Sequence, residues 1–132
     1  MSMSMEQSGS NPLAYLRRER QRDQMWTRMF RVEAWIAQDG KCAYCHEPIR
    51  REEATADHET SLYKGGSTTR KNVKATCLPC NNTKKSMSAG EFTNRIKSPK
   101  PGDSIHIWLA WSRRRIWLRV ERACKRIERM VT

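Results

Sequence analysis

Acidic residues are scarce in this chain. Its 132 residues include 14 Asp and Glu against 26 Lys and Arg, a formal net charge of +12. Such a surface disfavours cationic partners and attracts polyanions, of which nucleic acid is the commonest. Apolar residues are also few, at 37%. The core must therefore be small, and a small core usually depends on a staple such as a metal or disulfides. No apolar run approaches the roughly 18 residues that a membrane span needs, so no membrane partner is expected. The polar N-terminus carries no export signal, and the expected compartment is the cytoplasm. Internal repeats are lacking, which excludes a repeat array. The length suits one compact domain rather than two.

Cysteine is what the chain does have, in a pattern. Four of its five cysteines form two CxxC pairs, Cys42/Cys45 and Cys77/Cys80, and Cys124 stands alone in a basic helical stretch. Disulfides are rare without export, so the pairs read as the four thiolate ligands of one structural zinc. Between the pairs lie Asp57-His58, a Gly65-Gly66 turn and Asn72, and Asn81 follows Cys80 directly. A zinc held this way fixes both ends of the intervening loop. It thereby places an acid, a histidine and an amide near one another. His46, after the first pair, and His106, near the last helix start, read as surface or packing residues because four cysteines already suffice.

Around this stretch the pattern predicts an α+β chain: a small zinc-stapled hairpin flanked by long N- and C-terminal helices. Residues 1–11, rich in Ser and Met and without apolar periodicity, read as a disordered tail. The rest, 12–132, reads as a single domain. A helix is expected over 12–40, with Asn11 as its cap, Pro12 in its first turn and Asp39-Gly40 as its stop. The stapled core should span 41–97, with strands near 54–56 and 72–76. A short basic helix should open at Asn81, and another at the capping box Ser88 to Glu91. Residues 98–103 read as a Pro-rich linker, and 104–131 as a basic amphipathic helix. In that last helix Ile105, Leu109, Ser112, Ile116, Val120, Ala123, Ile127 and Met130 recur in steps of four and three. This seam is expected to pack on the first helix within a monomer, with a homodimer through the same helix as the alternative. Trp108, Trp111 and Trp117 sit beside it and read as packing residues.

The central residues suit phosphodiester hydrolysis. Histidine, largely neutral at pH 7, can deprotonate water. A hard divalent ion can stabilise charge on the phosphoryl group and the departing oxygen, and it prefers oxygen ligands such as those of Asp57 and Asn81. The order CxxC, Asp-His, Gly-Gly, Asn, CxxC-Asn and then Lys84 resembles the HNH endonucleases of the ββα-metal (His-Me finger) superfamily. It looks most like their zinc-containing branch in phages and bacteria, and is also similar to the phage recombination endonuclease VII group. The resemblance covers about residues 41–87 and neither long helix.

The resemblance implies an enzyme that cleaves DNA, double-stranded or branched, with RNA as a further substrate that the charge permits. It implies His58 as general base, Asp57 and Asn81 as holders of a catalytic Mg2+ or Mn2+, and Asn72 as a brace for the loop. Cys42, Cys45, Cys77 and Cys80 would hold zinc. Lys84, Lys85 and the arginines Arg113, Arg114 and Arg115 are expected at the nucleic acid. Such a nuclease would act in a bacterial cell, or in the host cytoplasm if phage-encoded. Glu59 departs from the apolar residue usual after the histidine. The alternative is a non-catalytic zinc-ribbon-like DNA-binding module that uses Asp57, His58 and Asn81 structurally.

Overall fold

The structure is a computed structural model that describes residues 11–132. The tail expected over 1–11 lies outside the described residues except for Asn11. That residue caps helix α1 (Pro12–Ala37), its side chain accepting from the Leu13 amide at 3.0 Å. The helix ends three residues before Gly40, and both Asp39 and Gly40 take positive φ to turn the chain back. The outer half of α1 is exposed. Its inner half lies on a two-stranded antiparallel hairpin, β1 (Thr55–His58) and β2 (Val73–Thr76), paired from Thr55–Thr76 to His58–Val73. Phe30 is the buried residue of α1, and Val73 and Ala75 are fully buried beneath it.

Polar groups finish this packing. The Gln38 amide donates to the carbonyls of Lys41 and Ala75, each at 2.8 Å, and accepts from the Ala75 amide at 3.1 Å. It thus satisfies the free edge of β2 in place of a third strand. The Trp35 indole donates to the Ile49 carbonyl at 2.8 Å and holds the first cysteine turn against α1.

Helix α2 (Leu78–Lys84) starts earlier than the sequence suggested. Asn81 lies within it, because Cys77 is the cap and Pro79 sits in the first turn, where its missing N–H costs nothing. The second CxxC is therefore itself the first turn of the helix. In α3 (Ala89–Lys97), Ser88 Oγ accepts from the Glu91 amide at 3.1 Å, as the capping signature requires.

Helix α4 (Ile105–Val131) corrects one expectation. It packs on α3 and α2 rather than on α1. The seam expected to be buried is exposed throughout, from Ile105 at 79% to Met130 at 79%. The buried residues are Ile107 and Ala110, which join Phe92 and Ile96 of α3 around Tyr44 and the four paired cysteines. The reason is one of length. A nine-residue α3 covers only the start of α4, and the metal centre takes the rest of the small core. From Arg122 to the C-terminus every residue is exposed. Among the described residues no helix is long and apolar enough to cross a membrane.

Candidate active site

The four paired cysteines converge from two turns that are remote in sequence. Their Sγ atoms lie within 4.8 Å of one another, all four are buried, and all are free thiols. Cys45 and Cys77 approach to 3.9 Å. A tetrahedron with zinc–sulfur arms of ~2.3 Å has edges of about 3.8 Å, so the cluster fits a structural zinc. Four buried thiolates so close would repel one another, and a divalent cation is what permits their ionisation. The turn geometry agrees: the Tyr44 amide points at Cys42 Sγ at 3.5 Å, and His46 takes positive φ as the chain leaves the knuckle. His46 is not among the converging ligand atoms, and Cys124 is exposed and remote from them in the chain.

Beside the staple, Asp57, His58 and Asn81 line one concavity of about 220 Å³ with Ala56, Ser61, Leu62 and Lys85. The hairpin supplies Asp57 and His58 and α2 supplies Asn81. Asp57 is buried. Its Oδ2 accepts from the Tyr44 hydroxyl at 2.6 Å, and its Oδ1 accepts from the Lys84 ammonium at 3.1 Å. Burial pushes the Asp57 carboxyl up from its ordinary value, and Tyr44 and Lys84 pull the other way. Tyr44 is itself held above its usual range by burial and by that carboxylate.

A carboxylate has about four lone-pair positions, so two hydrogen bonds leave capacity for an ion. The Asn81 amide nitrogen donates to Thr55 Oγ1 at 3.2 Å and to the Ala56 carbonyl at 3.4 Å, so its oxygen is the uncommitted end. One carboxylate and one amide oxygen on a shared small cavity fit a hard divalent ion.

His58 Nε2 lies 3.0 Å from Thr68 Oγ1. Thr68 belongs to the loop between the strands, and Asn72 closes that loop. Its Oδ1 accepts from the Thr60 amide at 2.8 Å, and its Nδ2 donates to the carbonyls of Thr60 and Ser67 at 3.0 and 2.8 Å. Asn72 thus sits away from the concavity and ties together the two ends of the segment that carries Thr68. Gly66 lies inside that segment, where an added Cβ would meet the Thr60 carbonyl oxygen at 1.9 Å. Glu59 pairs with Lys74 across the hairpin at 3.5 Å, which gives its charge a structural partner.

Two groups of cations are placed otherwise than expected. Lys84 has no exposed surface. Its ammonium is committed to Asp57 and to the His58 carbonyl at 3.0 Å, so it lies inside the protein rather than on the open surface. Lys85, by contrast, is exposed at the rim of the concavity. Arg113 pairs with Glu47 at 3.2 Å and Arg114 donates inward to the Tyr44 carbonyl at 3.0 Å. Arg115 lies over Trp111, 4.8 Å from the ring centre. Of the three, only Arg115 is on the open surface.

Sequence reasoning missed Tyr44 and Thr68. The order of residues carries no sign of either, because their partners lie 13 and 10 positions away.

No curated protein matches the chain. Over residues 42–87, which hold both cysteine pairs, Asp57, His58 and Asn81, the chain matches the HNH endonuclease family model.

Proposed function

We propose that the chain is a metal-dependent endonuclease that hydrolyses DNA phosphodiester bonds. The observation that carries this reading is the shared concavity of Asp57, His58 and Asn81 within the segment that matches the HNH family. A divalent ion such as Mg2+ or Mn2+, held by Asp57 and Asn81, would supply Lewis acidity toward the phosphoryl group and the departing 3′ oxygen.

The chain's own residues do the remainder. Thr68 Oγ1, 3.0 Å from His58 Nε2, orients the ring, and with Nε2 protonated Nδ1 is the nitrogen that takes a proton from water. Tyr44 and Lys84 hold the Asp57 carboxylate in one orientation. Thr55 and the Ala56 carbonyl hold the Asn81 amide with its oxygen free. Lys85 offers a cation at the rim for the scissile strand. The four cysteines would hold a structural zinc, which would fix α2 against the hairpin and keep Asn81 beside Asp57. One such site cuts one strand, leaving 5′-phosphate and 3′-hydroxyl ends. A double-strand break then needs a homodimer or two encounters. Free paired thiols suit the reducing cytoplasm.

A second reading has an observation of its own. The buried Asp57–Lys84–Tyr44 cluster is what a structural role for Asp57 would look like, as in a non-catalytic zinc-ribbon-like DNA-binding module. Supercoiled plasmid incubated with zinc-loaded protein separates the two. Nicked circles that require added Mg2+ or Mn2+, and that vanish with His58→Ala, support the nuclease. DNA binding without nicking under any divalent ion supports the module.

A further inference from the structure

His106 stands in the first turn of α4, half-buried, with Nε2 at 3.3 Å from Cys80 Sγ. Two turns on, Arg114 Nη1 donates to the Tyr44 carbonyl, and Ala110 between them is fully buried. Positions 106, 110 and 114 step by four and so share one face of the helix. That face reaches both cysteine turns, the second through His106 and the first through Arg114. The imidazole is not one of the group of ligand atoms that lie within 4.8 Å of one another. It therefore stands outside the ligand set, at hydrogen-bonding distance from one member of it. A zinc-bound thiolate only accepts, so the nitrogen that faces it carries the proton.

We infer that His106 is a positioning residue that donates a hydrogen bond to the Cys80 thiolate and ties the docking of helix α4 to metal retention. The bond holds the sulfur in place and draws charge from it, and so slows loss of the ion. By linkage, the filled metal site in turn favours the docked position of α4. This inference rests on the metal reading of the four cysteines and is independent of the nuclease chemistry.

The test uses the full chain and three variants. His106→Gln places its amide nitrogen where Nε2 stands and restores the donor. His106→Asn places it where Nδ1 stands, too short to reach, and His106→Leu has no donor. Two quantities are read: the rate of zinc transfer to an excess of chromogenic chelator, and the thiolate-to-cobalt charge-transfer band after substitution with Co2+. Loss of zinc about 10–100-fold faster is expected for His106→Asn and His106→Leu. Their band should move to lower energy, while His106→Gln stays close to the parent on both scales. Should His106→Leu not fold, the Gln and Asn pair decides alone. Equal behaviour of Gln and Asn, or no change in any variant of a zinc-bound parent, overturns the inference. A well-folded parent that holds no metal overturns the metal reading with it.

Discussion

The Lys84 ammonium donates to Asp57 Oδ1 at 3.1 Å, and both side chains are buried. A lysine that follows the second cysteine turn thus serves the site from within. Removing one partner of a buried pair leaves a charge without compensation and typically costs about 3–5 kcal/mol. Lys84→Met should therefore lower stability by about that amount in denaturant unfolding of the zinc-loaded protein, with DNA affinity of the folded fraction unchanged. Normal stability with weakened DNA binding would return Lys84 to the phosphate-binding surface.

Removal of the metal should undo the centre of the fold. The four thiols join two turns at the middle of the small core, and structural zinc in small domains contributes ~10 kcal/mol or more of apparent binding energy. Treatment with a strong chelator should abolish amide protection in β1, β2 and α2, as measured by hydrogen exchange. Retained protection in metal-free protein would show that the thiols pack without an ion.

His58→Ala should slow cleavage by about 10²–10⁴-fold, the usual cost of losing a general base, or ~3–5 kcal/mol of barrier. Zinc content and melting temperature should stay at parental values, because the ring faces a solvent-open concavity rather than the core. Thr68→Val should lower the rate by less, since the base persists while the hydrogen bond that orients its ring is lost. Asp57→Ala and Asn81→Ala should differ from His58→Ala in being partly rescued by excess Mg2+. A His58→Ala protein as fast as the parent would remove His58 from the reaction.

The exposed cations of α4 are expected to set DNA affinity. Replacing Arg119, Arg122 and Arg126 with Gln should reduce the slope of log affinity against log salt, by about 0.9 for each phosphate that is no longer neutralised. Arg114→Gln should instead destabilise the fold, since its guanidinium holds the Tyr44 carbonyl. An unchanged slope in the triple variant would place the nucleic acid on another face.

Gly66→Ala should damage the site from outside it. The added methyl would lie 1.9 Å from a backbone oxygen, so the segment must shift, at a cost of about 1–3 kcal/mol. The shift would displace Thr68 and with it the His58 ring. A lowered melting temperature together with slower nicking is the expected outcome. Full activity would show that the segment moves without carrying Thr68.

The parts legible in the sequence were those whose signals are local. CxxC pairs, a Pro behind a cap, a Ser-to-Glu capping box and a Gly-Gly turn each act over a few residues, and all appear where the spacing put them. Asp57, His58 and Asn81 line one concavity. What escaped depends on partners far along the chain. Nothing near Lys84 marks it as buried, because its carboxylate lies 27 residues upstream. Nothing near Arg113 or Arg114 shows their inward partners, which are Glu47 and Tyr44. The α4 seam misled for another reason. Steps of four and three identify a helical stripe correctly, but burial requires a neighbour long enough to cover it, and α3 spans only nine residues.

The length of α4 has a thermodynamic consequence. Its 27 residues extend about 40 Å, and the last three turns bury nothing against the body of the protein. Helix formation without packing rests on per-residue propagation constants near unity, so this end gains little free energy from being helical. It carries Arg122, Lys125, Arg126 and Arg129 against a single acid, Glu128. A polyanion laid along it would neutralise that self-repulsion and supply the missing stabilisation in one step. The heat and salt dependence of binding would then record the tightening of a helix as well as the release of counterions.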